Sequence, residues 1–265
     1  MRRLLTAFVL LTALAAPAAA LRAPDDPLAR ARLLYNQHDF QGAIAAAEQA
    51  RVLPGRADAA DLVAARAYLE SYRQSLTATD LDGARERLRR LDPLRLAVNE
   101  REEYIVGLGE TLFFDGAFGA AASVFDGVIK NGTTLAGVPR ERVLDWWASA
   151  IDREAKPRPD IERQSRYQAI RTRMEQELAS HPGSGAAAYW LANAARLQGD
   201  LSAAWDAAQA GWVRAPLGND HGAALRGDID RLVVEAIVPD RAKALAQTPE
   251  TIRQEWEQFK EMWQK

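Results

Sequence analysis

The chain has 265 residues, 48% of them hydrophobic and 26% charged, an ordinary globular balance with enough apolar material for a real core. Its formal charge of −2 leaves no Lys/Arg excess for a nucleic-acid-binding stripe. With no cysteine, disulfides, thiolate nucleophiles and Cys-based zinc sites are excluded, and packing alone must hold the fold together.

Residues 1–20 read MRRLLTAFVLLTALAAPAAA. Arg2 and Arg3 form a charged start, residues 4–16 are apolar or small, and Ala18-Ala19-Ala20 fits a small-x-small cleavage pattern. This predicts a bacterial secretory signal peptide, too short to span a membrane and with no cysteine after it to take a lipid. The mature chain is expected to begin near Leu21, to carry no integral membrane segment, and to be periplasmic or secreted. Losing Arg2 and Arg3 leaves 32 basic residues against 36 acidic, a formal −4.

Beyond Pro24-Asp25-Asp26-Pro27 the sequence predicts helical pairs. A polar turn, an aromatic or leucine, and alanines at helical spacing recur as Asp39-Phe40-Gln41-Gly42-Ala43-Ile44, Asp80-Leu81-Asp82-Gly83-Ala84, Gly116-Ala117-Phe118-Gly119-Ala120-Ala121 and Gly199-Asp200-Leu201-Ser202-Ala203-Ala204-Trp205. Asp80 and Asp200 are expected to cap the helices that follow, accepting from first-turn N–H groups. The run Arg85, Arg87, Arg89, Arg90 reads as a solvated helix face balanced by Glu86 and Asp92. A further pair is expected around residues 143–154 and 161–180, joined by Lys156-Pro157-Arg158-Pro159-Asp160 with Asp160 as cap. Trp146 and Trp147 point about 100° apart on such a helix. Either one is core and the other lies under the turn at 157–160, or one is an exposed anchor. Trp190, Trp205 and Trp212 are expected in the core.

Residues 217–265 are expected to cap the array, with a helix over 223–238 ending at Pro239, a short helix, and a last helix begun by Thr248-Pro249-Glu250. In that last helix Ile252, Trp256, Phe259 and Trp263 share a stripe, read as the docking face of a cap or as a partner-binding element.

The repeated phrase resembles the tetratricopeptide repeat family, whose unit is a 34-residue helix-turn-helix with small residues at the crossings and often a terminal proline. Leu191, Ala192, Ala195, Ala204 and Pro216 match in the last copy. Leu108, Gly109 and Leu112, then Ala121, Phe125 and Val128, match in the third, and Ala31, Leu34, Ala43 and Ala50 in the first. Spacing from Ala43 to Ala84 is 41 residues, from Ala84 to Ala121 is 37, and from Ile170 to Ala204 is 34, so the copies are degenerate. The resemblance covers about residues 25–216. It implies an all-α fold, a right-handed α-solenoid of about five helical hairpins over residues 21–216, with residues 217–265 as a helical cap.

No catalytic constellation emerges. His38, His181 and His221 each have a local structural role, and no pair has metal-site i, i+4 spacing. Gly183-Ser184-Gly185 lacks the spacing of a nucleophile elbow and reads as a turn. No cofactor motif is present. The resemblance implies a protein or peptide partner, bound in a groove lined by the first helix of each pair. By position that groove would include Arg32, Tyr35, Arg73, Glu110, Phe113, Phe114, Asn193 and Arg196, with Phe113-Phe114 as the anchor candidate. The Lys/Asn clamp used by some family members for a C-terminal carboxylate is not reproduced. The expected function is therefore an exported scaffold or adaptor in the cell envelope. Alternatives are an accessory helical superstructure of a cell-wall-acting enzyme system, or a chaperone-like binder of exported clients.

Overall fold

The computed structural model describes residues 26–131, 140–218 and 221–263; the expected signal peptide lies outside them. Every regular element among the described residues is helical. In chain order they are α1 (Pro27–Asn36), α2 (Phe40–Arg51), α3 (Ala57–Ser75), α4 (Ala78–Arg90), α5 (Val98–Phe114), α6 (Phe118–Asn131), α7 (Arg140–Ala155), α8 (Asp160–Ser180), α9 (Gly185–Leu197), α10 (Leu201–Arg214), α11 (Ala223–Leu232), α12 (Val238–Leu245) and α13 (Pro249–Trp263).

The recurring phrase produces a recurring turn. Between α1 and α2, α5 and α6, and α9 and α10, one residue enters the left-handed region: His38 (φ 63°), Gly116 (φ 77°) and Gly199 (φ 80°). Each turn closes with the same long backbone bond, from Asp39 N–H to the Leu34 carbonyl (3.0 Å), Ala117 to Leu112 (2.9 Å) and Asp200 to Ala195 (3.0 Å). This is the six-residue closure that satisfies orphan carbonyls at a helix end, and it favours glycine because only glycine enters it without strain. His38 adopts it with a side chain, at some steric cost. The next residue then opens the following helix: Asp39 accepts from Gly42 N–H (2.9 Å) and Asp200 from Ala203 N–H (3.1 Å).

The other two expected caps differ. Helix α4 starts at Ala78 after Thr77, so Asp80 lies in its first turn and accepts from the Ser71 hydroxyl at 2.6 Å. Asp160 is the first residue of α8, after Pro159, and pairs with Arg163. An acid in the first turn complements the helix dipole nearly as well as one at the cap, so the sequence signal is displaced by a residue or two. Ser184 and Thr248 do cap, accepting from Ala187 N–H (3.2 Å) and Thr251 N–H (3.3 Å).

Alanine sets how closely the helices approach. Ala31, Ala43, Ala46, Ala47, Ala50, Ala60 and Ala64 are all buried where α1, α2 and α3 meet. At the α5–α6 crossing a Cβ on Gly109 would lie 2.6 Å from the Phe125 ring, so the small residue there is sterically required. Each odd-numbered helix touches the next, α1 on α3, α3 on α5, α5 on α7, α7 on α9 and α9 on α11, while each even helix from α2 to α10 packs against its sequence neighbours. The largest core runs from α5 to α9, and a second joins α9 and α10 to the C-terminal helices.

Three expectations are corrected here. Arg87 is not on a solvated face: it turns inward to Asp61 on α3 (2.9 Å) and to Glu48 on α2. Trp146 and Trp147 are both buried, because α7 is covered from two sides: Trp146 meets Phe113, Phe114 and Phe125, and Arg173 of α8 lies 5.2 Å over Trp147. Pro239 does not end a helix. The Val238 N–H reaches back five residues to the Val233 carbonyl, and this widened turn, Val233–Ile237, carries the chain from α11 into α12 around the proline ring. Trp190, Trp205 and Trp212 are core, as expected. The C-terminal stripe docks as a cap would, with Ile252 and Trp256 fully buried and Phe259 packed beside them, while Trp263 stays half exposed.

Candidate functional site

The eight residues expected to line one groove all lie on odd-numbered helices. The structure divides them into three places. Arg32 and Tyr35 of α1 border a cavity of about 490 Å³ with Arg66 of α3 and Glu100 and Glu103 of α5. The Arg66 guanidinium sits 4.4 Å over the Tyr35 ring and donates to Glu103 at 2.6 Å, while Arg32 donates to Glu100 at 2.6 Å. Burial pushes the Tyr35 phenol and the Glu103 carboxyl up from their ordinary values, with Arg66 opposing both shifts.

The middle four residues serve mainly to join helices. Glu70 of α3 accepts from Arg73 (3.1 Å) and from Arg142 of α7, and Arg142 also reaches Glu110 at 3.5 Å. Glu110 is buried, at 5% exposure, so it cannot meet a partner as expected from the sequence. Burial raises its carboxyl, Arg142 lowers it, and neighbouring Glu70 raises it again. Phe113 and Phe114 are both half-buried and neither is a free anchor. Phe113 lies 4.8 Å from the Trp146 ring and Phe114 4.8 Å from Tyr72, and Arg73 covers Trp146 at 5.3 Å. Adjacent aromatics at a helix end have no periodicity of their own, so sequence could not tell an anchor from an inter-helix wedge.

Asn193 and Arg196 border a cleft of about 1250 Å³ between α7, α9 and α11. Arg196 donates to Asp240 of α12 at 2.8 Å. The rest of the cleft was missed by sequence reasoning. Asp145 and Glu141 come from α7, Tyr189 and Trp190 from α9, and Asp228, Arg231 and Glu235 from the segment read only as a cap. The Trp190 indole donates to Asp145 at 2.8 Å, and Glu141 accepts from Ala186 N–H (2.9 Å) at the start of α9. Burial raises the Tyr189 phenol, and the carboxylates of Asp228 and Asp145 raise it further against Arg231. The one available signal was the i, i+3, i+7 spacing of Asp228, Arg231 and Glu235, which places three charges on one helical face.

No group of three His, Asp or Glu side chains among the described residues is arranged to hold a metal ion. His38 and His221 occupy left-handed turn positions. His181 ends α8, with Nδ1 2.9 Å from Glu177. Glu177 is itself buried, and Arg140 donates to both of its oxygens, at 2.7 and 2.8 Å. Those bonds hold its carboxyl below the usual range. A lowered folded-state value contributes stability above the unfolded carboxylate pKa and loses it as pH falls through the folded one. Glu177→Gln is therefore expected to lower unfolding free energy by about 2 kcal/mol at pH 7. In urea titrations the difference from the parent should shrink toward zero in strong acid; a constant gap at all pH values would refute the assignment.

No protein-family model matches the chain, and no curated protein or solved structure matches it either.

Proposed function

We propose that this chain is an exported, tetratricopeptide-like scaffold of the bacterial cell envelope. Its helical hairpins stack as a right-handed α-solenoid, and it binds a protein or peptide on the face formed by its odd-numbered helices. The supporting observation is the unbroken run of contacts from α1 through α3, α5, α7 and α9 to α11, together with the identical turn at three of the hairpins. Paired amphipathic helices cannot bury their apolar faces singly; laying the first helix of each pair against the next makes one continuous layer. That layer carries both the cavity bordered by Tyr35 and the large cleft beside α9. No helix among the described residues is long and apolar enough to cross a membrane.

Photo-cross-linking in intact cells tests this reading. A photoreactive residue in place of Asn193, in the cleft, should give a discrete adduct with one envelope partner. The same residue in place of Glu175, exposed on α8, should give none. Equal labelling from both faces, or none from either, would overturn it. N-terminal sequencing of the recovered protein should begin at Leu21; retention of Met1 would remove the export step.

A further inference from the structure

This inference rests on the reading of the odd-helix face as the binding surface, and names what its cleft beside α9 takes. We propose that the cleft between α7, α9 and α11 binds an extended peptide segment of the partner carrying a lysine or arginine. The cation would lie over Tyr189 and the flanking chain along Trp190, Leu225 and Leu232.

Size is the first argument. At about 1250 Å³ the opening is larger than the usual small-molecule site of about 300–1,000 Å³ and roomy enough for several residues of chain. Lining is the second: Tyr189, Trp190, Leu225 and Leu232 give it apolar and aromatic walls, which favour side-chain stems and flat cationic heads. Charge is the third. Both arginines that border the cleft already face carboxylates, Arg231 with Asp228 (2.7 Å) and Arg196 with Asp240 (2.8 Å), and His181 pairs with Glu177. Asp145 accepts from the neutral indole of Trp190, Glu141 accepts from a backbone N–H and lies in the field of Arg140, and neither Asp145 nor Glu235 has an ion pair among the described residues. The cleft thus keeps negative charge that its own cations do not neutralise. Asp145 from α7, Asp228 from α11 and Tyr189 from α9 all line the cleft, so carboxylates from two helices share it with one aromatic residue, and both raise the Tyr189 phenol. That arrangement complements a guanidinium or ammonium group and repels an acidic chain.

Three ten-residue peptides with the same Leu/Val frame and two central arginines, glutamines or glutamates test this by titration of the whole exported chain, read through tryptophan fluorescence. The arginine peptide should bind at least about tenfold tighter than the other two and weaken with added salt. Asp145→Asn combined with Glu235→Gln removes two cleft carboxylates that have no ion pair among the described residues and keeps side-chain size. It should cost the arginine peptide about tenfold in affinity, while Asp160→Asn, exposed on α8, should not. Circular dichroism confirms that each variant is folded. Equal binding of all three peptides, or arginine binding indifferent to the double substitution, overturns the cationic inference and leaves the odd-face reading in place. Failure of every peptide, together with no adduct from position 193, overturns both.

Discussion

Trp256→Ala is expected to destabilise the C-terminal end of the protein by about 3–5 kcal/mol, the range for removing a buried tryptophan. The Trp256 side chain has no exposure, and its ring lies 5.7 Å from Trp205, 5.6 Å from Trp212 and 5.4 Å from Phe259. Its indole N–H donates to Asp230 of α11 at 2.9 Å, and Lys260 donates to the same oxygen at 2.7 Å. One side chain therefore ties α13 to both α10 and α11. Alanine would leave a cavity walled by rings too rigid to collapse into it, and Asp230 of α11 would lose one of its two donors from α13. Because α13 sits at an end, the loss should appear first as undocking of that helix. Limited proteolysis should then cut between α12 and α13, and near-ultraviolet dichroism should fall. Trp256→Phe, which keeps an aromatic body, should recover part of the stability. A loss below about 1 kcal/mol, or no new cleavage, would show that α13 is not held as described.

Trp146→Ala should cost a similar amount, about 3–5 kcal/mol, but with a different signature. Trp146 is the hub between α5 and α7, with Phe113 at 4.8 Å, Phe114 at 5.5 Å, Phe125 stacked at 6.2 Å and Arg73 at 5.3 Å. Arg73 belongs to α3, so the contact reaches across three odd helices. In the stack we propose, stability is nearly a sum of unit and interface energies, and a weakened central interface should uncouple the two halves. All seven tryptophans lie at or beyond position 146, so indole fluorescence reports the C-terminal half while far-ultraviolet dichroism reports every helix. The parent protein should give coincident urea transitions by the two probes. The variant should give transitions that separate, since coincidence of probes is a test of all-or-none unfolding. Coincident curves in Trp146→Ala would mean that the two halves are not joined mainly through this hub.

The site residues show where local reasoning stops. Placing Arg32, Tyr35, Arg73, Asn193 and Arg196 on the first helix of each pair needed only the repeat register, and the structure puts all five on odd-numbered helices. What each side chain does there did not follow. Arg73 is spent on Glu70 and Trp146, Glu110 is buried, and Arg196 is taken by Asp240, a partner 44 residues away. The cleft residues Asp145, Tyr189 and Asp228 come from three helices and have no shared sequence pattern. Arg87 makes the same point: four arginines within six residues look like a solvated face, yet one of them finds Asp61 and Glu48 on neighbouring helices.

From sequence alone came the all-helical class, the approximate starts of several helices, the repeating phrase at the turns and the alanines at the crossings. These depend on local causes: capping oxygens, glycine in the left-handed region, and a 3.6-residue period, all acting within a few residues along the chain. Only the tertiary structure decided which charges neutralise one another, which tryptophans become hubs, that Pro239 is carried through a helix, and where the face opens into a cleft. Those outcomes turn on distances between helices tens of residues apart. Coulomb and packing energies change steeply over an ångström there, and no local pattern records them.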